Sequence, residues 1–208
     1  MIRRSSMAER WYCRQRCLRG ERAVQLVEFA VALPLLVLFV VGIFDFSNAF
    51  TLKQRLTNIA RDAALASAYD PGSDVPTPYT GTLPVSVNDA FQLVDNYLLA
   101  SNLNTCGITS TATASGLTWT FTANTNGCPS AGLTIIVNRG YYLAPNSTTS
   151  PPVSCASSSA GGQVAVISTC VSIQYPYTWR FGNVASLIGG NTLLPTQISA
   201  VSVAMNEN

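Results

Sequence analysis

The sixteen residues from Phe29 to Phe44, FAVALPLLVLFVVGIF, carry no charged side chain. Extended to Val24–Phe46, the apolar stretch is 23 residues long, with polar side chains only at Gln25, Glu28 and Asp45. Coiled as an α-helix it spans roughly 34 Å, enough to cross the hydrocarbon core of a bilayer. A cleaved signal peptide is the competing reading. The apolar region is too long for it, and no A-x-A site leads into a polar mature start. Charge then orients the segment. Residues 1–22 hold seven Arg against Glu9 and Glu21, a balance of +5, whereas residues 23–208 hold five bases against eight acids, a balance of −3. An Arg-rich flank of this kind stays in the cytoplasm, which places everything after Phe50 outside.

The helical pattern continues past the apolar run. Leu52, Leu56, Ile59, Ala63 and Ala66 recur at spacings of three and four, with Lys53, Gln54, Arg55, Asn58, Arg61 and Asp62 on the other faces. This is an amphipathic stripe, ended by Asp70-Pro71-Gly72. Val24 to Ala68 is therefore predicted to be one helix, first half in lipid and second half packed on a soluble domain. Pro34 lies inside it, where a kink or local melting is expected. Glu28 is a carboxylate inside the apolar span, costing about 2.5–3.5 kcal/mol if it reaches the bilayer centre. It needs a partner, and a free amino terminus is a suitable one; an interfacial carboxylate reaching the headgroups is the other possibility. Asp45 reads as the outer membrane boundary.

After Asp70 the chain changes character. Residues 70–84 hold four prolines and two glycines and read as a loop. Ser86-Val87-Asn88-Asp89 has the form of a capping box opening a helix over 86–101, with Val87, Ala90, Phe91, Val94, Tyr97 and Leu98 on one face. From residue 105 onward, Thr, Ser, Asn and Gly alternate with short apolar runs. Strands are predicted at 117–123, 133–137, 164–175 and 197–205, with a low-complexity loop over 145–162. The fold class expected is α+β, a long N-terminal helix and one additional helix against a small antiparallel sheet.

Cys106, Cys128, Cys155 and Cys170 all follow the apolar segment, an even number in a compartment where disulfides persist. Four cysteines allow three pairings. The sequential one, Cys106–Cys128 and Cys155–Cys170, closes two short local loops and is preferred. A four-thiolate zinc site is the alternative, but it lacks the CxxC spacing such sites use. Cys13 and Cys17 lie in the leader.

Composition excludes several functions. The chain has no His, which removes Ser-His-Asp and Cys-His catalysis and His-ligated zinc. With 11% charged residues and no basic domain it is not a nucleic-acid binder. No Walker A, GxSxG or GxGxxG motif occurs, and no two carboxylates share a helical face at catalytic spacing. An enzyme is not expected, nor is a cofactor or metal. Trp119, Tyr141, Tyr142, Tyr175, Tyr177 and Trp179 are candidates either for a sugar-binding platform or for sheet packing.

One set of ordered motifs carries a family resemblance. Arg19-Gly20, Leu26-Val27-Glu28-Phe29-Ala30, Leu33-Pro34-Leu35-Leu36, Gly42-Ile43, Asp45-Phe46 and the run Arg55–Ala64 together resemble the N-terminal signature of TadE-like proteins, pilin-like components of the tight-adherence (Tad, or Flp) pilus machinery. The resemblance covers about residues 19–68, with a weaker echo at Val171–Tyr177 and in the final strand. It implies a pilin-like plan: a basic leader at 1–23, a transmembrane helix at 24–50, its extracytoplasmic continuation at 51–69 and a head at 70–208. It also implies cleavage by a prepilin peptidase after a small residue. Keeping Glu28 as the fifth mature residue puts the cut at Ala23/Val24; a cut after Gly20, before Glu21, is the alternative. In assembly of this kind the Glu28 carboxylate pairs with the new amino terminus of a neighbouring subunit, and Pro34 belongs to the same signature. The implied partners are other pilin-like subunits, inner-membrane assembly proteins, the peptidase and the lipid bilayer.

Three functions follow for test. The first is a minor pilin or pseudopilin of the bacterial inner membrane that primes, stabilises or caps a fibre, the second an adhesin head on the same anchor, the third a tethered enzyme.

Overall fold

A computed structural model describes residues 7–74, 82–129, 131–143, 154–155, 166–180 and 194–206, with side chains from Val24 onward. Helix α1 runs from Met7 to Tyr69, 63 residues. It starts well before the Val24 expected from hydropathy alone. The melting expected at Pro34 does not occur: helical backbone continues on both sides. Proline removes one rung of the hydrogen-bond ladder but holds φ near its helical value, so the loss stays local.

The remaining elements are α2 (Val85–Ala100) and five strands: β1 (Thr113–Ser115), β2 (Thr118–Ala123), β3 (Leu133–Leu143), β4 (Val166–Pro176) and β5 (Gln197–Met205). The strands form one antiparallel sheet in sequence order, β1-β2-β3-β4-β5. The fold is α+β. By internal contacts the chain divides into two compact units, one holding α1 as far as Phe46 and the other holding α1 from Ser47, α2 and the sheet. The second unit is the head.

Register explains the core of the head. Phe121 pairs with Ile135, Ile135 with Ile173 and Ile173 with Ala200, one apolar row across four strands. Trp119, Val137 and Val171 form the next row. Alternation along each strand sends these residues to one face, where they are buried with Leu52, Leu56, Ile59, Ala60, Ala63 and Ala64 of α1. From α2, Val87, Ala90, Phe91, Val94 and Leu98 join them, and Phe91 stacks on Phe121 with ring centroids 4.6 Å apart. Ala66, predicted on the buried stripe, is only half-buried, and Ser67 is buried in its place.

The ends of α2 differ from each other. The predicted capping box does not form. Pro84 is the N-cap residue and makes no side-chain cap; the Ser86 amide donates instead to Asp74 Oδ2 at 2.7 Å. An Asp at the fourth position has one methylene less than the Glu of a capping box, and a carboxylate from another segment satisfies the exposed amide. The C-terminal end closes as a Schellman motif. Asn102, at φ 53°, donates to Leu99 O at 3.1 Å, and Leu103 donates to Leu98 O at 2.9 Å.

Two strand readings needed correction. β1 was missed because Thr-Ala-Ser is too short and polar to show a period. β3 runs six residues past the predicted Val137, through Asn138-Arg139-Gly140, a polar stretch that resembles a strand end. A bulge between Asn138 and Tyr141 absorbs one extra residue there. Gly140 belongs to it, since a Cβ at this position would meet Leu117 Cδ1 at 2.5 Å.

Leu56 is fully enclosed where α1 meets the sheet. Leu56→Ala is expected to destabilise the head by about 2–5 kcal/mol. Denaturant unfolding of the full chain in detergent, followed by Trp fluorescence, measures it.

Candidate functional site

Two regions compete for function: the apolar half of α1 and the polar junction where α1 ends. In the first, Val24, Val27, Glu28, Val31, Ala32 and Leu35 fall at alternating spacings of three and one and line one open face of the helix. Val24 is 66% exposed, and the large apolar residues around it, among them Phe29, Leu36, Phe39 and Phe44, are exposed to a similar extent. A continuous surface of this kind marks a site that is covered by lipid or by other helices. Glu28 lies within it, an exposed carboxylate among valines. Pro34 lies one residue before Leu35 in the same helix. Gly20 and Ala23 fall on the helical backbone of α1, and their side chains lie outside those described. Asp45, read from the sequence as a boundary residue, is buried at 4% exposure.

The second region is built around Arg139, which shares the core-facing side of β3 with Ile135 and Val137 and reaches the end of α1. Arg139 is 3% exposed. Its guanidinium donates through Nη1 to the Ser67 carbonyl and to Thr169 Oγ1 (3.0 Å), and through Nη2 to the Asp70 carbonyl (2.9 Å). The last carbonyls of a helix have no partner inside it and carry its negative dipole end. A buried cation placed there satisfies both. At the other side of the junction Asp74 presents its carboxylate to the N-terminal amides of α2, the matching arrangement of opposite sign. Asn206 completes the frame: it accepts from Thr169 Oγ1 at 2.5 Å and donates to Arg139 O at 3.3 Å. Burial pulls the Arg139 guanidinium below its ordinary range, while Asp74 and Asp70 oppose that shift.

The sequence reading passed over Arg139. A signal for it exists: it is the single cation between Arg61 and Arg180, directly after the apolar run Ile135-Ile136-Val137, and such a residue is rarely left unpaired when buried.

The structure joins Cys106 to Cys128 and Cys155 to Cys170, with Cα–Cα distances of 5.3 and 5.5 Å. Thr125 holds the first loop through its Oγ1 and N–H, both donated to Cys106 O (2.7 and 3.0 Å). Asn138 holds the second, donating to Cys155 O at 3.0 Å while its Oδ1 accepts from Gly140 N at 2.9 Å. Among the described residues no group of three or more Cys, Asp or Glu is placed to hold a metal ion. Nor do the aromatics form one platform, for Trp119 is in the core and Tyr175 is buried with its hydroxyl donated to Asn104 O at 3.1 Å.

Comparison with known proteins picks out the helix. The family described as TadE-like protein matches residues 23–65, a segment that contains Glu28 and Pro34 and stops before the Arg139 junction. No curated protein and no solved structure matches the chain.

Two outcomes are expected from this geometry. Arg139→Met leaves the carbonyls of Ser67 and Asp70 without their donor and is expected to cost about 3–5 kcal/mol, read as a lowered unfolding midpoint of the full chain. Replacing Cys155 and Cys170 together by Ala frees a short loop and is expected to cost about 3 kcal/mol by the same measurement.

Proposed function

We propose that this chain is a minor-pilin-like subunit that takes part in assembling a Tad pilus, priming, stabilising or capping the fibre. The observation that carries the reading is a coincidence of position: the TadE-like segment, 23–65, is also where α1 exposes its apolar face and then enters the head's core. In this reading α1 is held in the bacterial inner membrane with the Arg-rich end in the cytoplasm and the head outside. A prepilin peptidase removes the leader at Ala23/Val24 or at Gly20/Glu21.

The role of each part follows from electrostatics. In hydrocarbon, the Glu28 carboxylate is costly alone and much less so beside a cation. The new amino terminus of a neighbouring pilin-like subunit supplies that cation and fixes the axial register of two helices at once. The valines around Glu28 provide the packing surface, which in lipid depends on close contact rather than on the hydrophobic effect. The part proposed for the head is structural, through contacts with other subunits and with the inner-membrane assembly proteins.

Glu28→Ala and N-terminal sequencing of the protein recovered from native envelopes test this together. The expected results are a mature start at Val24 or Glu21 with the apolar segment retained, and loss of fibres in the variant while the protein stays in the membrane. Intact fibres with lost surface attachment would favour the adhesin instead. A full-length chain beginning at Met1 would remove the processing step.

A further inference from the structure

The junction at the end of α1 holds more negative charge than its one cation balances. Asp70, just after α1, and Asp74, in the 3-10 turn Gly72–Asp74, lie near Arg139, and Asp89, in the second turn of α2, lies near Asp70. Arg139 spends its donors on backbone carbonyls and Thr169, not on these carboxylates. Asp70 Oδ2 and Asp74 Oδ1 are both buried, and neither finds a donor among the described residues. A buried acceptor without a donor is costly when it is charged and much less so when it carries a proton.

We propose that the Asp70 carboxylate, whose buried Oδ2 finds no donor among the described residues, takes up a proton in the folded head, so that the clasp joining α1, α2 and β3 is tighter in acid and looser toward neutral pH. The charged groups facing Asp70 are Asp74 from the 3-10 turn, Asp89 from α2 and Arg139 from β3; β4 and the residue after β5 bring Thr169 and Asn206, which do not titrate. Burial pushes the Asp70 carboxyl above its ordinary range, Asp89 and Asp74 push it further, and Arg139 opposes them. For an acid raised on folding, the stabilising contribution is complete below the ordinary carboxylate range and is lost as pH rises through the raised value. Such a device is intrinsic to the head and does not depend on the chain's joining a pilus.

Hydrogen exchange on the full chain in detergent micelles tests it, with rates corrected for the intrinsic pH dependence of exchange. As pH rises from below the ordinary carboxylate range to neutral, protection of the amides of residues 64–70 and 88–91 is expected to fall severalfold in the parent protein. Asp70→Asn is expected to hold protection at its acid level across that range. Asp62→Asn, an exposed change on α1, should retain the parent's response. Flat protection in the parent, or an Asp70→Asn variant that keeps the parent's pH response, overturns the proposal. If Asp70→Asn does not fold, Asp89→Asn removes a neighbouring charge instead and should move the transition to lower pH; an unmoved transition overturns the proposal equally.

Discussion

The head depends on how α1 ends. A helix that stops inside a protein leaves its last carbonyls without donors, and here a buried guanidinium from the middle of the sheet supplies them. That single group connects α1 to β3 and, through Thr169, to β4. Consecutive strand residues face opposite sides of a sheet, so Asn138 reaches the Cys155 loop on one side while Arg139, in phase with Val137, reaches the helix end on the other. The disulfide and the helix cap are thereby fastened to adjacent residues of one strand.

Around that point the packing is conventional in its physics. Rows of β-branched and aromatic residues cross the sheet in register, and the small residues Ala60, Ala63 and Ala64 let α1 approach closely. At the open edge, Lys53 donates to Ser199 O, so a cation from α1 occupies part of the β5 backbone that another strand would otherwise use.

The two halves of α1 differ in exposure. From Leu52 to Ala64 its apolar side chains are enclosed by the head, whereas from Val24 to Phe50 most are exposed. A helix of this kind is incomplete by itself. Its apolar half fits a membrane anchor, and the TadE-like match covers the same residues. The head, by contrast, is closed by its own core and two disulfides.

Much was legible in the residues themselves. The apolar run, the stripe from Leu52 to Ala63, the face of α2 and β5 at 197–205 all follow from periodicity, because a helix repeats near 3.6 residues and a strand at two, and neither needs knowledge of a distant partner. What periodicity could not reveal depends on groups far apart in the chain. The cap of α2 comes from Asp74, 12 residues upstream of the amide it binds, and the cap of α1 comes from Arg139, 72 residues beyond Ser67. The extension of β3 through Asn-Arg-Gly is of the same kind: those residues oppose a strand by local preference, and the partners on β4, α1 and the Cys155 loop override it. Sequence alone determined which surfaces must be buried, since hydrophobicity is a property of each side chain. Only the tertiary structure decided which polar groups meet, since a hydrogen bond requires two groups to be brought together at a defined distance.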